Sequence, residues 1–262
     1  MPYTISHTVV VMPIARLLAR RRLLGAALIG SMVPDFGVFS RWPISRFETH
    51  SISALITFCL PVGLLTYWLF QFLIKPAMAE ILPEGPYARW HTFKAPEPIK
   101  SPRQWLLAAG GILLGAILHL ALDGFSHDGG RGVRLFPALD EPWFDIGHHH
   151  VIGTHLIQDF GSVIGLIVLF GFAVHGLRRG SEIPVPNRVV GPKERFAWMT
   201  AYTAAAVMCT VGFIVLFHDP DDTGIFAGPA FVYDLAVAVL RGLAAAVLAV
   251  SIALSLRLER LR

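Results

Sequence analysis

Apolar runs of about twenty or more residues recur along this 262-residue chain, and no other feature restricts its fold as much. A helix needs about 20 apolar residues to cross a hydrocarbon core of about 30 Å. The runs fall at approximately 52–75, 105–126, 153–177, 196–217 and 229–256, each bounded by Pro, Gly or charged residues as a helix end requires. They lack the alternation of barrel strands, and in lipid only helices and closed barrels satisfy every backbone polar group. The expected fold is therefore all-α, a polytopic transmembrane helix bundle of five clear spans. Composition agrees: 15% of the residues are charged, against about 25% in an ordinary soluble domain.

The first 36 residues are less regular. Residues 8–19 and 22–36 are expected to form two short helices separated by Arg20, Arg21 and Arg22, a short or re-entrant hairpin. No small-residue cleavage site follows a basic start, so a cleaved signal peptide is not expected. The chain reads as a single transmembrane domain over 1–262. Within it, 1–177 carries the polar cluster described below, and 196–256 supplies two additional spans, joined through the Pro-, Gly- and Arg-rich segment 178–195.

Lys and Arg set the expected orientation. Arg89, Lys94, Lys100 and Arg103 lie in 76–104. Arg178, Arg179, Arg188, Lys193 and Arg195 lie in 178–195, and Arg257, Arg260 and Arg262 in the tail. The turn 218–228 instead has Asp219, Asp221 and Asp222 and no basic residue. This bias puts 76–104, 178–195 and the C-terminus in the cytoplasm, and the loops 37–51, 127–152 and 218–228 outside. The net charge of +4 is mostly this topology signal, and no nucleic-acid partner is expected. Cys59 and Cys209 sit in apolar runs without metal-binding spacing and read as packing residues.

Histidines converge on that topology, although Lys and Arg alone defined it. His7, His50, His119, His127, His148, His149, His150 and His155 all fall near the outer face, eight of the eleven in the chain. Asp35 follows Pro34 at the outer end of the second short helix. His119 and Asp123 are four residues apart, so they project about 40° apart from one helix face and can share an ion. His155 and Asp159 repeat that spacing on the next span. Imidazole with carboxylate suits zinc, and a carboxylate can instead orient a histidine from behind. Each pair could equally bond internally or meet water at the interface. An ionisable residue within a span costs at least about 2.5 kcal/mol on insertion scales, so it needs a partner or a task. Asp234 and Arg241 on the last span read as bundle-internal polar contacts, and Gly111/Gly115 and Gly161/Gly165 as close-packing pairs.

Several motifs carry a resemblance. Met1-Pro-Tyr-Thr-Ile-Ser-His7, Ile29-Gly-Ser-Met-Val-Pro-Asp35-Phe36, His50-Ser51 and His119-x-x-x-Asp123-x-x-Ser126-His127 occur in order over most of residues 1–170. Together they resemble a family of bacterial membrane proteins of unknown function, similar to the membrane-bound metal-dependent hydrolases of the YdjM type. A remoter likeness is to the zinc-dependent phospholipase C fold, an all-helical hydrolase with three zinc ions. The resemblance implies that His7, Asp35, His50, His119, Asp123 and His127 are metal ligands, as are His155 and Asp159, with Asp159 standing where that fold has a longer Glu. It further implies a zinc or other divalent cofactor, Asp35 as the group that takes a proton from bound water, and a phosphoester or lipid-type substrate reached from the plasma membrane. Two other classes of function use the same residues: a non-catalytic membrane protein stapled by a structural metal, and a transporter with a transient cation site. Transport would call for polar residues continuing across the bundle, where Arg241 and His175 are the main candidates.

Overall fold

A computed structural model describes residues 5–39, 44–82, 101–146, 149–179, 189–217 and 229–260. The turn 218–228, Arg89, Lys94, Lys100, Arg188 and His148 lie outside the described residues, as does the side chain of Asp234.

The N-terminal pair begins with a 3-10 segment, Ser6–Ile14, that runs into helix α1 (Ala15–Arg20). The chain turns at Arg21–Leu23, where Arg22 takes φ 58°, and enters α2 (Leu24–Gly30) and a second 3-10 segment, Val33–Phe39. The short α3 (Arg46–Thr49) leads to α4 (Leu55–Ile81). Next come α5 (Pro102–Ser126), α6 (Arg131–Leu135), a two-stranded antiparallel hairpin of β1 (Pro142–Ile146) and β2 (His149–Ile152), α7 (Gly153–Arg179), α8 (Pro192–Phe217) and α9 (Pro229–Glu259). Among the described residues five helices are long and apolar enough to cross a membrane: α4, α5, and most of α7, α8 and α9. The chain is thus an all-α polytopic membrane protein.

The spans match the apolar runs to within a few residues except at α4, which continues six residues past the expected end at Lys75. Pro76 does not stop it, because the turn before is π-helical. The π segments Leu55–Cys59 and Phe70–Ile74 each end two residues before a proline, Pro61 and Pro76. A proline ring collides with the carbonyl four residues back, and a widened π turn relieves that collision without ending the helix.

The chain divides into two compact units. One comprises residues 3–67 and 98–174, the other residues 68–97 and 175–262. In the first, Val11, Leu18 and Ala27 form a buried cluster with Leu114 and Leu118 of α5, so the N-terminal pair packs directly on that span. Glycine permits the closeness. A Cβ at Gly115 would collide with the Ala27 carbonyl and one at Gly30 with the Ile112 carbonyl, while Gly111 faces the Ala26 methyl. The other expected pair is used only in part: Gly165 approaches Ser6, whereas Gly161 faces open space.

In the second unit, Ala77, Ile81, Val190 and Leu254 are packed with Trp198 and Leu258. Gln71, Lys75 and Glu80 are buried there, and Lys75 Nζ donates to Gln71 Oε1 at 3.1 Å. The Arg241 guanidinium lies 6.0 Å from the Phe213 ring centre. An aromatic ring is thus one neighbour of this basic group.

Candidate functional site

Six of the eight sequence-predicted site residues gather in the first unit. His7 comes from the first 3-10 segment, Asp35 from the second, His50 from the end of α3, and His119 and Asp123 from one face of α5. His127 follows α5 at the rim. The side chains of His119 and Asp35 are essentially sealed, at 0% and 2% exposure, while His127 retains 19%.

The distances have a pattern. His50 Nε2 and His119 Nε2 are 3.3 Å apart. His50 Nε2 lies 3.4 Å from Asp35 Oδ1 and 3.3 Å from Asp123 Oδ2. His119 Nε2 lies 3.6 Å and 3.4 Å from the same two oxygens. Charge-assisted N–H···O⁻ bonds are normally about 2.7–2.9 Å, so these contacts are long for direct hydrogen bonds. His50 Nε2 and His119 Nε2 with either carboxylate oxygen have instead the spacing of donors that share one ion, about 3.3 Å when each metal bond is about 2.0 Å. The second oxygen of each carboxylate turns the other way. Asp123 Oδ1 is 3.3 Å from His7 Nε2 and 3.7 Å from His127 Nδ1, and Asp35 Oδ2 is 3.6 Å from His7 Nδ1. Asp123 therefore bridges two groups of imidazoles.

Proton placement sharpens the fit. His119 Nδ1–H donates to the Ser31 backbone carbonyl at 2.7 Å, which leaves Nε2 as a lone pair. His50 Nδ1 shares a 2.8 Å hydrogen bond with the Thr49 hydroxyl, and when the ring donates there its Nε2 is also a lone pair. Two such lone pairs 3.3 Å apart repel unless a cation stands between them. In the absence of a metal that cation is a proton. Burial works against a charge on His50, but the bonds and charges of Asp123 and Asp35 outweigh it and hold its pKa above the ordinary 6.5. The buried His/Asp clusters could hold a metal ion: His7, His119 and Asp123 in one set, Asp35, His50 and His119 in another.

His155 and Asp159 are not brought into this cluster. Both are exposed on α7. The rotation of α7 explains it: buried Thr154 donates to Asp128 Oδ1 at 2.9 Å, Ser162 is buried, and Gly165 meets Ser6. Measured from Thr154, positions 155 and 159 lie about 100° and 140° around the helix. Farther along the loop, exposed His150 pairs with Asp145 at 2.6 Å, and the side chain of His149 lies outside the described residues.

Sequence reasoning missed the groups that aim the histidines. Thr49 beside His50, and Ser126, whose hydroxyl lies 3.0 Å from His127 Nδ1, were legible as neighbours in the chain. The Ser31 carbonyl was not, because a backbone acceptor 88 positions from His119 leaves no mark on residue type. Buried Gln71, Lys75 and Glu80 were also missed, since the hydropathy of their span hides them.

A family profile described as "Domain of unknown function (DUF4184)" matches residues 1–252. The chain belongs to the DUF4184 family. No curated protein and no solved structure matches it. In this DUF4184 chain the profile spans the whole of the His/Asp cluster, four of the apolar helices and most of the fifth.

Proposed function

We propose that this protein is a membrane-bound metal-dependent hydrolase, with zinc or another divalent ion held by His7, Asp35, His50, His119 and Asp123 and with His127 at the rim. The observation that carries the reading is that His50 Nε2 and His119 Nε2 lie 3.3–3.6 Å from each other and from Asp35 Oδ1 and Asp123 Oδ2. Imidazole and carboxylate donors together suit zinc better than the all-oxygen sites of calcium or magnesium. When bound, zinc brings the pKa of a coordinated water to about 7 and supplies hydroxide at neutral pH.

The chain's own residues have separate tasks in this reading. Asp123 bridges the two imidazole groups. Asp35 turns both oxygens toward imidazoles, which suits a ligand, and a carboxylate so placed also accepts a proton from a neighbouring water. His127, the most exposed member, borders the opening. The order of His7, Asp35, His50, His119, Asp123 and His127 resembles that of YdjM-type hydrolases and of the zinc-dependent phospholipase C fold, and supports a phosphoester or lipid-type substrate. The Lys and Arg bias supports a site at the outer face of a bacterial plasma membrane, with the C-terminus in the cytoplasm.

A second reading has its own observation. The donors come from four separate segments of the chain, so an ion among them would also staple the N-terminal pair to α5. Metal content by mass spectrometry on detergent-purified wild type and on Asp35→Ala/His119→Ala, followed by phosphoester hydrolysis assays, separates the possibilities. About one or more zinc equivalents lost in the variant, with turnover in wild type, is the expected result. Metal without turnover on any phosphoester or lipid favours the staple. No retained metal, with both proteins equally stable, overturns both readings.

A further inference from the structure

The loop between α5 and α7 presents large apolar side chains outward: Leu135 is 74% exposed, Phe136 59%, Trp143 54% and Phe144 46%. Such exposure is unusual for side chains that face water, and two hydrogen bonds hold this loop in place. Its base is closed by Thr154 Oγ1 donating to Asp128 Oδ1 at 2.9 Å. Trp143 Nε1 donates to the Ala138 carbonyl at 2.7 Å, which fixes the indole.

Two contacts set the height of these groups relative to the bilayer. The Phe136 ring lies 6.2 Å from that of Phe125, in the last turn of span α5. The Trp143 indole lies against Gly153, the first residue of span α7, where an added Cβ would come within 2.9 Å of the ring. Both aromatics therefore sit where a span leaves the hydrocarbon, the level at which Trp and other amphipathic rings are favoured. The hairpin is two-sided as well. Phe144 pairs with Val151 on one face, and Asp145 pairs with His150 on the other. That second face is polar and open, with side-chain exposures of 63% for Asp145 and 71% for His150. Exposed Arg131 and Arg134 on α6 stand beside Leu135, within reach of lipid phosphates.

We propose that residues 131–146 and 149–152 form a platform docked on the lipid surface, with Leu135, Phe136, Trp143 and Phe144 in the head-group layer and the Asp145–His150 face toward water. The occupant of the apolar surface is the bilayer itself, because the surface continues from the lipid-facing ends of α5 and α7. This holds whether or not the His/Asp cluster binds metal. The platform begins within a few residues of His127, so it would keep the rim of the cluster at head-group level.

Nitroxide labels at Leu135→Cys, Phe144→Cys and Asp145→Cys, in a Cys59→Ala/Cys209→Ala background reconstituted into liposomes, test the idea through collisional accessibility. Labels at 135 and 144 are expected to favour oxygen over a water-soluble nickel chelate several-fold more than the label at 145. Equal chelate access at all three positions places the loop in water and overturns the proposal. Shielding of 135 and 144 from both probes means that protein covers them, and overturns it too. If a labelled variant fails to fold, quenching of tryptophan emission by brominated lipids in wild type against Trp143→Phe gives an independent result. The expected outcome is a smaller quenched fraction in the variant, and an unchanged fraction rejects the docked indole.

Discussion

The imidazole of His119 and the backbone carbonyl of Ser31 are joined by a 2.7 Å hydrogen bond between α5 and the turn that follows α2. This bond selects the ring tautomer and aims Nε2 at Asp35, His50 and Asp123. It exists because α2 lies unusually close to α5, and that closeness depends on glycine.

Gly115→Ala should therefore damage the cluster from outside it. The added methyl would collide with the Ala27 carbonyl and approach the Ser31 amide to 2.6 Å, forcing the strand of backbone that carries the Ser31 carbonyl away. Overpacking of this kind costs about 1–3 kcal/mol. Thermal unfolding in detergent should show the loss for Gly115→Ala and none for Gly110→Ala, whose added methyl meets nothing within 4 Å. Equal stability of the two would refute the packing argument.

Asp123→Asn should remove bound metal from both imidazole groups, because its two oxygens serve different partners. His155→Ala/Asp159→Ala should leave metal content unchanged, since both side chains are exposed on α7. Metal analysis of the two proteins decides the point. Loss of metal in the α7 variant would mean that α7 rotates inward when metal binds.

Thr49→Val should lower metal affinity by about tenfold or more, the usual effect of losing a group that orients a ligand, and Thr49→Ser should restore it. Titration against a competing zinc chelator measures this. An unaltered affinity in Thr49→Val would assign the hydroxyl to packing alone.

Metal binding should weaken as pH falls, and earlier than for an ordinary imidazole. The metal-free pKa of His50 is raised above 6.5, so the proton competes for Nε2 already at a pH above that value. The apparent affinity is full at alkaline pH and declines as pH drops through the raised pKa. Isothermal titration across this range, with His50→Gln as reference, should show the steeper dependence in wild type.

The five spans were legible because hydropathy over about 20 residues is a local property, and the lipid makes it decisive. So was the shared face of the α5 pair. Residues four apart on a helix share a face whatever surrounds them, and His119 and Asp123 do. The same rule predicted a shared face for His155 and Asp159, yet it is silent on which way that face turns.

What the sequence determined by itself, then, was the class of fold, the spans and the chemical type of the clustered side chains, all properties of residue identity and short-range spacing. Tertiary structure alone decided which of them meet. His7 and Asp35 reach α5 because Gly30 and Gly115 let the N-terminal pair approach, and His155 stays out because Thr154 and Gly165 set the rotation of α7. Rotation and approach depend on packing between segments far apart in the chain, which no local pattern encodes.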